Sequence, residues 1–145
     1  MALTYSIEMR ASIDKVFDFV DDEEKLKLWM DGLEETTYVT ERDPANPVGT
    51  KFKQKIREGG RVQEYDGEVL AYEKPKHVAV RIGNAYFHAV ADYRFTPIDR
   101  GTRLDYTCDV TCHGWFVKLM GFLLGWFAKR ILRKQMAKLR ELAER

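Results

Sequence analysis

Tyr5, Ile7 and Met9 alternate with Ser6, Glu8 and Arg10, and this period of two predicts a first strand ending near Arg10. The period then changes. Ser12 is placed to cap a helix that carries Ile13, Val16, Phe17 and Val20 on one face, with Asp14 in its first turn. A second, short helix is expected from about Glu23 to Met30, bearing Leu26, Leu28 and Trp29. From Leu33 onward the pattern reads as strand and turn. Strands are expected at Thr36 to Thr40, after Gly49-Thr50, at Arg61 to Tyr72, at His77 to Ile82, at Ala85 to Thr96 and at Thr102 to Cys112. Gly67 marks an expected bulge or bend in the long strand. Six consecutive strands joined by short Gly or Pro turns predict an antiparallel meander. The last segment, about Gly114 to Glu144, reads as one helix of roughly 30 residues and about 45 Å.

The strand faces can be sorted by alternation. In the strand from Ala85, Phe87, Ala89, Ala91, Tyr93 and Phe95 share one face, and Tyr86, His88, Val90, Asp92 and Arg94 the other. In the last strand Leu104, Tyr106, Cys108, Val110 and Cys112 oppose Arg103, Asp105, Thr107, Asp109 and Thr111. The apolar sets must face the core, because a slip of one residue would bury His88, Asp92 and Arg94 together. The inward set holds two alanines in mid-strand, which leave volume unless large side chains opposite reach in. That volume is either a ligand pocket, for which a space of about 300 Å3 is required, or it is filled by Trp115, Phe116, Met120 or Phe127. The phase of the strand at 61–72 is open. Outward, Glu64, Asp66 and Glu68 are solvated; inward, they are an acidic cluster in a cavity.

Composition adds limits. The 145 residues are 45% hydrophobic and 32% charged, the balance of an ordinary globular chain, and the length matches one domain spanning residues 1–145. The net charge of +1 argues against a globally basic nucleic-acid binder. The balance conceals an acidic beginning, with 12 acidic and 5 basic side chains over residues 1–43, and a basic end, with 7 basic and 2 acidic over 129–145. The opening residues have no basic stretch followed by an apolar one, so no secretory leader is expected. Cys108 and Cys112, about 13 Å apart along a strand, are beyond disulfide reach, and reduced thiols in a cytoplasmic protein are expected. The same separation makes a metal site of Cys108, Cys112 and His113 unfavourable. No phosphate-cradling loop, nucleophile–base pair or other catalytic constellation is present, and no cofactor or metal is expected.

One strand, two helices, six strands and a long terminal helix is the order of a helix-grip fold. The chain resembles the START/Bet v1-like (SRPBCC) superfamily, and within it the bacterial polyketide cyclase/dehydrase-like proteins. The resemblance runs through Ile7 to Phe17, Asp21, Leu26 to Trp29, Val48-Gly49-Thr50-Lys51-Phe52 and Tyr72-Glu73-Lys74-Pro75-Lys76-His77. It continues through Tyr93-Arg94-Phe95-Thr96-Pro97 into Gly101-Thr102-Arg103-Leu104, and through Leu139 to Glu144. It implies an α+β fold: a curved seven-stranded antiparallel sheet wrapped around the terminal helix, with a cavity between them.

A small hydrophobic molecule, such as a lipid, polyketide-like compound or isoprenoid, is the expected partner. Gln54, Tyr65, Tyr93, Tyr106 and Trp29 would orient it, since a buried amide or phenol needs a hydrogen-bonding partner. Phe52, Ala89, Ala91, Cys108, Met120 and Leu124 would shape its space. Two rival readings stand beside this one. A cyclase or dehydratase would use inner-face tyrosines or carboxylates as acid and base. A membrane-surface or homodimeric module would act through Trp115, Phe116, Phe122, Leu123, Trp126 and Phe127. These are followed at once by Lys129, Arg130, Arg133 and Lys134, as in an interfacial helix.

Overall fold

Ser12 begins the helical part of the chain as its sequence requires. Its side chain accepts a hydrogen bond from the Lys15 amide at 3.3 Å and caps α1 (Ile13–Asp21), which buries Val16, Phe17, Phe19 and Val20. Asp22 ends α1 and caps α2 (Glu23–Trp29), accepting from the amides of Glu24 at 2.8 Å and Lys25 at 3.2 Å. Each cap satisfies amides that the first helical turn leaves unpaired. The computed structural model describes residues 2–58, 60–85, 87–112 and 115–145, and for residues 2, 58, 112 and 115–128 the backbone alone.

Seven strands form one antiparallel sheet: β1 (Ala2–Met9), β2 (Leu33–Tyr38), β3 (Lys51–Glu58), β4 (Arg61–Glu73), β5 (His77–Gly83), β6 (Phe87–Ile98) and β7 (Gly101–Cys112). Their spatial order is β1-β7-β6-β5-β4-β3-β2, so the meander runs from β2 to β7 and β1 closes beside β7. The terminal helix, α3 (Trp115–Ala143), is 29 residues long. Its C-terminal half packs with α1 and β1 around Met9, Val16, Phe17, Leu104, Met136 and Leu139, all at most 1% exposed. The chain end is tied down there, where Glu144 Oε2 accepts from the Arg10 amide at 3.0 Å. The architecture is the α+β helix-grip arrangement.

Two local expectations are corrected. The bulge of β4 lies between Val69 and Ala71, not at Gly67, which stays in regular register opposite Phe52 and Ile82. Gly67 is required for another reason: a Cβ there would stand 2.3 Å from the ring of Phe52. The ladder of β6 also begins at Phe87 and continues through Pro97 to Ile98, so the turn into β7 is only two residues long.

The bulge settles the phase of β4. Before it, Tyr65 and Val69 are buried on the inner face. Glu64, Asp66 and Glu68 point outward to ion pairs, with Lys53 at 3.3 and 3.8 Å and with Arg81 at 3.2 Å. After the bulge the alternation is reset, since two residues oppose Ala79 where one would in a regular ladder. Val69 pairs with Val80 and Tyr72 with Val78, so Tyr72 returns to the inner face three residues after Val69.

Candidate functional site

Between the concave face of the sheet and helices α1 and α2 lies a cavity of about 180 Å3. Its walls are apolar over most of their extent, with Val20, Leu26, Met30, Val69, Val78, Val80, Ile82 and Ala91. It falls short of the roughly 300 Å3 that the sequence reading required of a ligand pocket, which corrects that expectation: the space is one for a small molecule of about one or two rings rather than for a larger lipid. Two larger hollows, of about 500 and 490 Å3, are open surface grooves in which charged side chains mix with apolar and polar ones.

Of the sequence-predicted residues, Phe52, Gln54, Ala91, Tyr93, Tyr106 and Cys108 come together on the cavity wall. Gln54 is 5% exposed, and its amide nitrogen donates to Thr36 Oγ1 at 3.4 Å, which leaves the amide oxygen for another partner. The rings of Tyr93 and Tyr106 meet edge to face, 4.9 Å between centroids. Burial pushes both phenols well above the usual tyrosine range, so each is a protonated donor at neutral pH. Tyr106 and Cys108 share the inner face of β7, and burial raises the Cys108 thiol. Such a wall offers hydrogen bonds without charge.

The remaining predicted residues lie elsewhere. Trp29 is 3% exposed, donates from Nε1 to the Phe19 carbonyl at 2.8 Å, and borders the groove between α2 and the end of α3. Tyr65 packs against Phe87, with 5.8 Å between ring centroids. Ala89 joins Leu3 and Cys108 in a separate apolar cluster near the sheet's β1 edge. Met120, Leu124 and the aromatic run of α3 carry side chains outside the described residues, as do Cys112 and His113. Among the described residues no group of His, Cys, Asp and Glu could hold a metal ion, and no helix is long and apolar enough to cross a membrane.

Sequence reasoning missed the polar end of the cavity, formed by Asp21, Glu23, Tyr38, Arg42 and Tyr72. Asp21, the last residue of α1, receives Arg42 at 2.6 Å on one carboxylate oxygen and the Tyr72 hydroxyl at 2.8 Å on the other. The Arg42 guanidinium also lies 5.8 Å from the Tyr38 ring centroid and 5.9 Å from that of Tyr72. Phe17 holds Tyr72 from behind in an edge-to-face contact at 5.6 Å. Burial, reinforced by donation to Asp21, pushes the Tyr72 phenol up to about 12. Tyr38 is raised as well, again mainly by burial, with the charge of Glu23 contributing. Glu23 itself has a carboxylate oxygen, Oε2, that is shielded from solvent and meets no hydrogen-bond partner among the described residues. Asp21 and Tyr72 are both among the residues that carry the resemblance, but the β4 bulge and the long β2–β3 loop hide the approach of Tyr72 and Arg42 to Asp21.

A family model described as polyketide cyclase / dehydrase and lipid transport matches residues 1–144. No curated protein matches the chain. Among solved structures, a conserved protein from Geobacillus kaustophilus superposes with a TM-score of 0.77 at 22% identity, over 99% of this chain and 95% of that one. A Thermus thermophilus protein gives 0.73 at 17% identity, over 97% and 95%. The di-domain aromatase/cyclase StfQ of the steffimycin biosynthetic pathway gives 0.78 at 11% identity, over 99% of this chain and 50% of that one. At these identities the likeness is one of fold.

Proposed function

The chain belongs to the polyketide cyclase / dehydrase and lipid transport family, and on that premise we propose that it binds a small hydrophobic molecule between sheet and helices. The observation that carries the proposal is the apolar cavity of about 180 Å3 with hydrogen-bonding side chains at one end. An apolar pocket with a few convergent polar groups is the ordinary form of a small-ligand site. Ala91 helps to keep this space open, because a larger residue at that point of β6 would extend into it.

Naphthalene is a suitable probe, since it has two fused rings and no polar group. Fluorescence titration is expected to give saturable binding to the wild-type protein and at least tenfold weaker binding to Ala91→Leu. A wild-type protein that takes up no naphthalene overturns the proposal.

One observation favours a second reading, acid–base catalysis of a cyclisation or dehydration. Glu23 and three phenols held protonated, Tyr72, Tyr93 and Tyr106, share one cavity. A dehydratase predicts that small molecules co-purifying with wild type and with Glu23→Gln differ in mass by one water. Identical masses on native mass spectrometry argue for a carrier.

A further inference from the structure

The polar end of the cavity discriminates between head groups, and the charges there say which kind it accepts. Asp21 already accepts one hydrogen bond on each carboxylate oxygen, from Arg42 and from Tyr72. Arg42 is in turn neutralised by Asp21 and held near the faces of Tyr38 and Tyr72. This leaves Glu23, on the same wall, with a buried acceptor oxygen and no donor among the described residues. A carboxylate on an apolar cavity wall that lacks a donor gains from a ligand that supplies an N–H or O–H.

We infer that, within the ligand-binding reading on which this rests, the cavity selects an apolar molecule ending in a neutral hydroxyl, which donates to the Glu23 carboxylate on its wall. The sum of the charges of Asp21, Glu23 and Arg42 is negative, so a ligand carboxylate would meet repulsion, with no free cation among the described wall residues to offset it. An ammonium would have to shed its water among Val69, Val78, Val80 and Ile82, which is expensive even beside a carboxylate. A hydroxyl satisfies the acceptor without either cost. Hydrogen bonds to charged groups are about twice as strong as neutral ones, and the selectivity should be correspondingly large.

Three probes of one shape separate the possibilities: naphthalene, 1-naphthol and 1-naphthoate. For the wild-type protein at neutral pH, 1-naphthol is expected to bind about tenfold tighter than naphthalene, and 1-naphthoate weaker than either. Glu23→Leu removes the acceptor and should abolish the preference, so that 1-naphthol and naphthalene bind this variant with equal affinity. Glu23→Gln removes the charge and should raise the affinity for 1-naphthoate. Circular dichroism of both variants controls for folding, and Glu23 sits at the start of α2, where either substitution leaves the Asp22 cap in place. If naphthalene binds but 1-naphthol has no advantage, or keeps it in Glu23→Leu, the head-group assignment fails and the cavity reading survives. If naphthalene itself does not bind, both fail.

Discussion

Tyr72 owes its character to two neighbours and to burial rather than to its own chemistry. Phe17 fixes the ring, Asp21 accepts its hydrogen bond, and burial keeps it from ionising, so the phenol is pushed up to about 12. A folded-state value above the unfolded one means that the native protein holds the proton longer. The stability this confers is complete below about pH 10 and is lost as pH rises from about 10 towards about 12. Tyr72→Phe should therefore flatten the fall in urea midpoint between about pH 10 and about pH 12, and an unchanged slope would contradict the assignment. Gly67 gives a second test at this scale. An added methyl group would drive the Phe52 ring out of its place against the sheet and into the cavity. Overpacking of this kind costs about 1–3 kcal/mol, so Gly67→Ala should lower the urea midpoint and weaken naphthalene binding together.

At the scale of elements, alternation made the inner faces of β6 and β7 legible directly from the sequence, because each runs without interruption from end to end. That is why the period of two alone puts Ala91, Tyr93, Tyr106 and Cys108 together. It failed for β4, where one extra residue resets the parity and no local residue type marks the place. Gly67 offered a false sign of the bulge, and the real one brought Tyr72 inward unseen. Arg42 was hidden for a different reason: it reaches Asp21 from a loop, and loops carry no period. Helix α2 is the element on which the polar end depends, since it supplies Glu23 and Leu26 within only seven residues. Too short to be stable alone, it relies on the Asp22 cap. Asp22→Ala should cost about 1 kcal/mol and speed hydrogen exchange in α2 ahead of the sheet, whereas Asp22→Asn should retain most of the cap. Uniform exchange in Asp22→Ala and wild type would show that packing against β2 and α3, rather than the cap, holds the helix.

Across the whole molecule, packing and open space are kept at different places. The region where α1, β1 and the end of α3 meet is filled, with Met136 and Leu139 wholly buried. The region between α1–α2 and the middle of the sheet keeps a cavity bordered by Ala91. Stability and binding should accordingly respond to opposite kinds of substitution. Leu139→Ala opens a hole in the filled region, and such truncations cost about 2–5 kcal/mol. Naphthalene affinity should be unchanged so long as the protein remains folded. Ala91→Leu does the reverse: it adds three carbon-sized groups to space already present, each worth up to about 0.8 kcal/mol when buried. Part of that gain is lost to rotamer restriction, so a net rise of about 1 kcal/mol is expected, along with loss of the probe. Chemical denaturation and fluorescence titration of the same two variants give both quantities. A destabilised Ala91→Leu would mean that the walls around Ala91 leave no space for a side chain, and hence none for a ligand.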